Sequence, residues 1–488
     1  MKFLNFFSII IAFLFFSPAA AQPKDLAQEL WNSYNEFKEG SITHKRFKHE
    51  DIVPLIKGLE QNNNFDVKKV GESIEGRDLF LISVGTGDID VFLWSQMHGD
   101  ESTATMALMD IFNFLTSNKF SAEKNELFKK LRLHFLPMLN PDGAQVFQRR
   151  NALGIDINRD ALRLQSPEGK TLKRVRDSLN ADFGFNLHDQ SKYYNAQGTA
   201  NPATISFLAP AYNYEKDINE VRGNAMKVII DMNEVLQRFA PGQVAKYNDD
   251  FEPRAFGDNI QKWGTSAILI ESGGYLNDPE KQEIRKLNFV AILSAVFSIA
   301  NEDYKQRELS DYKKIPENDS KLYDLKLKGL EYELSGESYI LDLGINHQEI
   351  REGKAGLFNR ASITDQGDLS TNYGYNTQDL TGYKVNWGKV YPTVMAGLDE
   401  LNKLNFQELL NKGYSYVKVK HIPGKVSFTK HPVIVVRENF KVPSRLGVGI
   451  NPTFFLEKDG EIKYAVINGF FHDLDKLETS SSNGLILK

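Results

Sequence analysis

A histidine and a glutamate three residues apart are the first pair in this sequence that could do chemistry. His98 and Glu101 follow an apolar run typical of a buried strand and precede a pattern typical of a helix. At such a corner both side chains can turn toward one point. Imidazole nitrogen and carboxylate oxygen are zinc ligands, and a catalytic zinc usually has three protein ligands and a water. The pair therefore predicts two ligands of a metal site, and a third must come from elsewhere.

Two further apolar segments end in residues that could complete such a site. His188 follows the segment 183–187, and Glu271 follows the segment 267–270. Ligands bind beyond the carboxyl ends of the strands in open α/β sheets. If these strands are neighbours, both residues converge with His98. An unpaired carboxylate is costly to bury at the end of so apolar a strand, which favours a functional role for Glu271.

An arginine-rich loop follows a third apolar segment, residues 131–139. It begins after the turn sequence 140–143 and includes Arg149, Arg150 and Arg159. A solvated loop is the simplest interpretation of such a charge cluster. Arginine forks also bind carboxylates bidentately, so the loop is a candidate site for an anionic end of a substrate.

Composition limits the class of protein. The chain has 488 residues, of which 41% are hydrophobic and 25% charged, so it has room for about two globular domains. The net charge of −5 argues against a nucleic-acid partner. Cysteine is absent, which excludes a thiol nucleophile, a cysteine zinc cluster and a lipid-modified cysteine.

The first residues predict export. An apolar run over residues 6–16 is followed by small residues up to Ala21, the pattern of a signal peptide, so residues 1–21 are expected to be cleaved. The run is too short to span a bilayer comfortably. We therefore expect a periplasmic or secreted protein with no stable membrane insertion after cleavage.

The remaining chain divides into three parts. Residues 22–305 alternate strand and helix patterns and are expected to form the catalytic domain. The charge-rich segment 306–324 is predicted to be a linker, and residues 325–488 a mostly β accessory region. Within that region one helical patch is expected at about 393–411.

Over residues 60–300 the order and approximate spacing of the polar motifs resemble the zinc carboxypeptidases of the carboxypeptidase A family. The matching residues are His98-x-x-Glu101, Asn140-Pro141-Asp142-Gly143, Arg149, Asn158-Arg159, His188 and Glu271-Ser272-Gly273. The resemblance implies an α/β fold with a mixed, mostly parallel central sheet flanked by helices, here followed by the mostly β region.

The resemblance also implies roles for the residues of the metal site. His98, Glu101 and His188 would hold one zinc ion, in agreement with the two histidines and one glutamate of carboxypeptidase A. Glu271 would be the general base that deprotonates the attacking water and the general acid that protonates the leaving amine.

The arginine loop is assigned to the substrate by the same resemblance. Arg149 would polarise the scissile carbonyl and stabilise the oxyanion, with Arg150 a weaker candidate. Asn158 and Arg159 would hold the terminal carboxylate of the substrate.

Three positions depart from the digestive enzymes of the family or match them weakly. Asp100 stands where those enzymes have an arginine that helps bind substrate. Asp189 and Gln190 replace the serine and tyrosine that follow the third ligand, and Asp189 could either support that ligand or contact a basic substrate. Tyr247 is the nearest candidate for the tyrosine that caps the substrate. Side-chain specificity therefore stays open.

The sequence thus predicts an exported zinc metallopeptidase, a carboxypeptidase that removes C-terminal residues from peptides or cell-wall peptides. The alternative enzymes are a peptidoglycan amidase or endopeptidase and an amino-acid deacylase on the same scaffold. A binding module without catalysis is the remote alternative.

Overall fold

The computed structural model describes residues 25–352, 356–424, 426–478 and 482–487. The predicted signal peptide, residues 1–21, lies outside the described residues. Among those that are described, no helix combines the length and the apolar character needed to cross a membrane.

A mixed sheet forms the centre of the N-terminal domain. Its strands are β1 Phe65–Glu72, β2 Asp78–Val84, β3 Ile89–Ser95, β4 Leu131–Leu136, β5 Phe183–Asp189, β7 Ile205–Leu208, β8 Val244–Lys246 and β9 Ser266–Ser272, and the short strand β6 Asn195–Ala196 lies outside the sheet. The strand order is β1-β2-β4-β3-β5-β9-β7-β8. The four strands at its centre, β4, β3, β5 and β9, are parallel neighbours. The apolar segments identified in the sequence are therefore adjacent, and their carboxyl ends share one edge of the sheet.

Helices cover both faces of this sheet. They are α1 Leu26–Ser33, α2 His49–Gly58, α3 Thr103–Thr116, α4 Ser121–Lys130, α5 Pro141–Val146, α6 Pro167–Leu179, α7 Glu220–Gln237, α8 Phe256–Lys262, α9 Gln282–Asn301 and α10 Leu309–Tyr312, with 3-10 turns at Tyr34–Glu36, Leu59–Gln61, Ile157–Arg159 and Asp303–Gln306. Successive side chains of β3 point to opposite faces of the sheet. Val91 and Leu93 pack in the core with α3, α7 and α9, whereas Phe92 and Trp94 pack in the core with α6 and α8.

Burial on both faces explains why the central strands are nearly continuous apolar runs instead of alternating patterns. The predicted fold class, a mixed and mostly parallel sheet flanked by helices with a mostly β region after it, is confirmed.

The C-terminal region is built mainly from strands. They are β10 Asn318–Asp319, β11 Leu322–Leu334, β12 Glu337–Glu352, β13 Gly356–Gly367, β14 Tyr373–Asp379, β15 Lys384–Asn386, β16 Lys389–Val390, β17 Met395–Gly397, β18 Tyr414–His421, β19 Phe428–Thr429, β20 Ile434–Val436, β21 Phe454–Lys458, β22 Glu461–Ile467, β23 Phe470–Asp473 and β24 Gly484–Leu485. The main sheet here has the order β13-β12-β11-β15-β21-β22-β23, with β14 also paired to β11. These strands enclose their own apolar clusters, so the region has a core separate from that of the N-terminal domain.

The helical patch predicted at about 393–411 is only partly correct. The segment begins as strand β17, continues as a 3-10 turn over Leu398–Lys403 and becomes helix α11 at Phe406–Asn411. The break falls at Asn405, whose side chain accepts a hydrogen bond from the Glu408 N–H and thereby caps a new helix.

Candidate metal centre

The three predicted ligands meet at the carboxyl edge of the central sheet. The Nδ1 atom of His98 lies 2.8 Å from one carboxylate oxygen of Glu101, and the Nδ1 atom of His188 lies 2.7 Å from the other. The two Nδ1 atoms are 3.2 Å apart. All three side chains are almost completely buried.

The spacing of these atoms suits a zinc ion. Tetrahedral coordination with bonds of about 2.0–2.1 Å places two ligand atoms about 3.3 Å apart, close to the observed separation of the two nitrogens. Burial by itself would raise the pKa of the Glu101 carboxyl, but the two imidazoles beside it hold that pKa well below its ordinary value. The donor set, two imidazoles and one carboxylate, can therefore bind a divalent cation through an ionised glutamate.

An aspartate that the sequence did not single out orients the first ligand. Asp156 Oδ1 lies 3.0 Å from His98 Nε2, the ring nitrogen that faces away from the other ligands. Metal-binding histidines commonly donate their second N–H to a carboxylate in this way, which fixes the ring and its tautomer. The other oxygen of Asp156 accepts a hydrogen bond of 3.0 Å from Arg149 Nε.

The loop that carries Arg149 is held by a close backbone approach. The Arg149 carbonyl oxygen accepts hydrogen bonds from the Gly99 N–H and from Asn140 Nδ2. A side chain at Gly99 would collide with the backbone of Gly143 and Ala144, at 2.1 and 2.3 Å, so only glycine allows the two loops to approach. Parts of both sequence motifs, the ligand pair and the turn at 140–143, thus serve to place Arg149.

His188 and Glu271 are direct neighbours in the sheet. They are register partners on the adjacent parallel strands β5 and β9, so both side chains leave the sheet toward the same side. Burial and the nearby negative charges of Glu101 and Asp189 raise the pKa of Glu271 well above its ordinary value. Among the described residues this carboxyl group makes no hydrogen bond, so it is available to a ligand in the cavity.

Asp189, next to the third ligand, is held within the protein through one of its two carboxylate oxygens, while its Oδ1 is buried without a hydrogen-bond partner among the described residues. Its Oδ2 accepts hydrogen bonds from Thr103 Oγ1 at 2.6 Å and Lys281 Nζ at 2.9 Å. Its backbone N–H donates to Glu101 at 3.2 Å. Of the two roles that the sequence left open, these contacts favour support of the metal ligands, because Lys281 already supplies the cation that a basic substrate would otherwise provide.

The ligands open into a cavity of about 440 Å³. Glu271, Arg149, Asn158 and Arg159 all line it, so the structure brings every predicted site residue to one place. Asn158 Oδ1 accepts a hydrogen bond of 2.8 Å from the first N–H of α8, which fixes its orientation. The side chain of Arg159 remains 37% exposed and can reach a ligand in the cavity. Arg150 is not among the lining residues and instead donates to the Gly154 carbonyl oxygen.

Two tyrosines and an aspartate are also among the lining residues. Tyr247, the weak candidate for a substrate cap, has its hydroxyl 3.3 Å from that of Tyr194, and the ring centroids are 5.8 Å apart. Asp258 is buried near the cavity, accepts a hydrogen bond from the Glu252 N–H, and has its pKa raised to about 7 by burial.

Sequence reasoning missed Asp156, Tyr194 and Asp258. Asp156 and Asp160 lie in the same loop, yet Asp160 accepts hydrogen bonds from the loop before α6. Nothing in the local sequence separates the two roles. The only usable signal was for Asp156, which lies two residues before Asn158 in a loop already assigned to the site.

Comparisons with known proteins agree with the geometry. Residues 53–223 match the zinc carboxypeptidase family, and this segment contains His98, Glu101 and His188. Carboxypeptidase SOL1 of Arabidopsis thaliana is 29% identical over 175 residues, which are 30% of this chain and 35% of that protein. Mouse carboxypeptidase M is 27% identical over 135 residues, 24% of this chain and 30% of that protein. The chain thus matches only about a third of the length of these relatives.

Among solved structures, a metallo-carboxypeptidase from Burkholderia cenocepacia aligns with 53% of this chain and 70% of its own, at 17% identity and a TM-score of 0.44. Glu271 and Tyr247 lie beyond the segment that matches the family, so their assignment depends on the geometry of the cavity. The resemblance noted in the sequence is confirmed: residues 53–223, which hold the three candidate ligands, match the zinc carboxypeptidase family.

Proposed function

We propose that this protein is a zinc metallocarboxypeptidase that hydrolyses C-terminal peptide bonds, with one zinc ion held by His98, Glu101 and His188. The observation that carries the proposal is the convergence, in one cavity, of a metal-ligand set, an unpartnered carboxyl group and two arginines. Peptide hydrolysis needs each of these parts, and the matching family is named for this activity.

Glu271 is the proton-transfer group of this mechanism. Zinc, when bound, would lower the pKa of a water molecule and polarise the scissile carbonyl. Glu271 accepts the proton of the attacking water and returns it to the leaving amine, because it lines the cavity as the register partner of the ligand His188 and its carboxyl group has no hydrogen-bond partner among the described residues. Arg149 lies 3.2 Å from Glu101, close enough to the centre to stabilise negative charge that develops on the carbonyl oxygen.

Arg159 and Asn158 would select the end of the peptide. A guanidinium binds a carboxylate through two parallel hydrogen bonds, and Arg159 is partly exposed beside the cavity. Asn158 is fixed by its hydrogen bond to α8 and lies next to it. A free terminal carboxylate would therefore be a required feature of the substrate.

Asp258, which lines the cavity, favours substrates with a basic terminal side chain. Asp258 has no cation within ion-pairing distance among the described residues, and burial raises its pKa to about 7. A lysine or arginine side chain placed near it would offset the cost of burying its charge.

We further propose that the protein is exported, on the basis of the signal-peptide pattern over residues 1–21. Peptides outside the cytoplasm, including the peptide part of a cell wall, are the substrate class consistent with that location. N-terminal sequencing of the protein after expression with the native leader tests this, and a mature chain that still begins at Met1 contradicts it.

A matched pair of peptides tests the main proposal. The zinc-loaded protein should cleave a peptide with a free C-terminus and leave its C-terminal amide intact, as measured by mass spectrometry. Equal cleavage of both refutes the carboxypeptidase assignment and favours an amidase or endopeptidase. A parallel panel of muropeptides and acylated amino acids identifies which alternative replaces it.

Two arginine variants sharpen this test. Arg159→Ala should raise the KM for free C-termini by about tenfold or more, since a hydrogen-bonded ion pair to the substrate is lost. Arg150→Ala changes the same residue type in the same loop but outside the cavity, and should leave KM unchanged. Equal effects of both variants would remove Arg159 from the carboxylate site.

A further inference from the structure

The segment that joins the two domains pairs with the N-terminal domain beside the cavity. We call residues 315–324 the connecting segment. Within it, β10 forms an antiparallel pair with β6. Earlier in the segment, the Pro316 carbonyl oxygen accepts a hydrogen bond of 2.7 Å from the Lys246 N–H at the end of β8, and the Glu317 carbonyl accepts one from Gln197. The segment is therefore held between two short strands of the N-terminal domain.

Each of these two strands adjoins one tyrosine of the cavity. Tyr194 directly precedes β6, and Tyr247 directly follows β8. The two hydroxyl groups are 3.3 Å apart, and both rings line the cavity that contains the metal ligands. The connecting segment thus pairs with β6, next to Tyr194, and with the end of β8, next to Tyr247. These two tyrosines form one wall of the cavity.

The C-terminal sheet fixes the loop before β6 through a partly buried aspartate. Asp324, in β11, accepts hydrogen bonds from Tyr193 Oη at 2.7 Å and from Lys192 Nζ at 2.6 Å. The His347 N–H donates to it as well, at 2.7 Å. Burial would raise the pKa of Asp324, but its hydrogen bond to His347 and the charge of Lys192 hold that pKa well below its ordinary value, so the carboxylate is ionised.

A second residue of the C-terminal region, Tyr375, contacts the loop after β5 and the loop after β9. Tyr375 Oη donates a hydrogen bond of 2.5 Å to the Lys192 carbonyl oxygen. A side chain at Gly274, three residues after Glu271, would meet the same hydroxyl at 2.1 Å. The loop after the third metal ligand and the loop after the candidate base therefore both pack against the C-terminal region.

We propose that the C-terminal region is a positioning element of the catalytic site, and that Asp324 acts through Tyr193 to hold the Tyr194–Tyr247 pair at the wall of the substrate cavity. The inference rests on the proposed function, because the pair matters to catalysis only if a peptide occupies the cavity. Side chains ordered before binding spare the complex the entropy cost of fixing them, so this contact should act mainly on substrate affinity.

Tyr193→Phe tests the inference without removing a ring or breaking the C-terminal core. In the zinc-loaded full chain it should raise KM by about three- to tenfold, the range expected from one lost hydrogen bond, with kcat within about twofold of the wild type. Tyr323→Phe is the matched control. It removes a hydroxyl one residue before Asp324 that bonds within the C-terminal region, to Asp365 and Asn372, and it should change neither constant.

A double-mutant cycle separates positioning from general destabilisation. If Tyr193 acts through the tyrosine pair, Tyr193→Phe should have no further effect on KM in a Tyr194→Ala background. Additive effects, an unchanged KM in the single variant, or a loss of kcat at constant KM would each overturn the proposal.

Amide hydrogen exchange distinguishes failure of this inference from failure of the proposed function. Tyr193→Phe should accelerate exchange in residues 193–197 and 244–248, and Tyr323→Phe should not. Faster exchange supports positioning even if the wild-type protein cleaves no peptide, in which case the proposed function fails alone. Unchanged exchange overturns the positioning role whether or not the protein is a peptidase.

Discussion

Two carboxyl groups of the N-terminal domain, the fully buried Asp110 and the partly buried Glu271, differ sharply in their surroundings. Asp110, in α3, is completely buried and accepts hydrogen bonds from Tyr34, from the Glu39 N–H and from the guanidinium of Arg285. Glu271, at the end of β9, has other carboxylates nearby, and its side chain makes no hydrogen bond among the described residues.

The difference teaches how a buried charge can be interpreted. A carboxylate whose hydrogen bonds are all made within the protein contributes to the structure, because removing one of its partners would leave an uncompensated buried charge. A carboxyl group enclosed beside other negative charges is held in a state of unfavourable energy, and such groups cluster at functional sites. By this criterion we interpret Asp110 as structural and propose a functional role for Glu271.

The largest effect is expected when the unpaired group is changed. Glu271→Gln keeps the shape of the side chain but removes the proton acceptor, so kcat/KM should fall by about 10²–10⁴-fold while zinc remains bound. Activity and zinc content should be measured on the same preparation. Retained hydrolysis would show that another group is the base.

Breaking the Asp110–Arg285 ion pair should instead lower stability and leave substrate binding unchanged. Arg285→Met leaves Asp110 buried without its cation, so the free energy of unfolding should fall by about 3–5 kcal/mol in urea denaturation, with the KM of the folded protein unchanged. Arg238→Met removes an exposed arginine that pairs with Asp25, and should cost about 0.2–1 kcal/mol. A similar cost for both would contradict the structural role assigned to the Asp110 pair.

Asp258 provides an intermediate case that pH can test. Its pKa is raised to about 7 in the folded protein by burial, so the folded state holds a proton that the unfolded chain has released. Its contribution to stability is present below pH 4 and is lost as the pH rises through about 7. Asp258→Asn should therefore stabilise the protein relative to the wild type at pH 8 by about 4 kcal/mol, at about 1.4 kcal/mol per pKa unit, and not at pH 4.

Thermal or urea unfolding of both proteins across this pH range gives the measurement for Asp258. A difference between wild type and variant that is the same at pH 4 and pH 8 would mean that the carboxyl group does not titrate in this window. A difference that vanishes when a lysine-terminated peptide is bound would support a basic side chain as the partner of Asp258.

The smallest effect is expected from two aspartates of one loop, which should differ in their influence on zinc affinity. Asp156→Asn weakens the support of His98 and should lower zinc affinity by about 10–100-fold in a chelator competition. Asp160→Asn disturbs the hydrogen bonds to the loop before α6 instead, and should lower stability by about 1 kcal/mol with zinc affinity unchanged. Equal zinc affinities in the two variants would contradict the orienting role of Asp156.

Much of the fold and of the site follows from local pattern. His98, His188 and Glu271 could be grouped because each follows an apolar run, and runs buried on both faces belong to neighbouring parallel strands whose carboxyl ends share an edge. His134 shows the limit of this reasoning. No acidic residue accompanies it in β4, yet its Nε2 lies 2.9 Å from Asp90 on the adjacent strand.

What only the tertiary structure decided is which charged groups find partners. Asp110 and Arg285 are 175 residues apart in the chain, and Asp324 reaches Tyr193 from another domain. The sequence by itself determined the kind of chemistry, because residue type and strand position fix which ligands and acids face the sheet edge. The folded chain determined which of those acids are satisfied, because hydrogen bonds depend on distances of about 3 Å that no local pattern encodes.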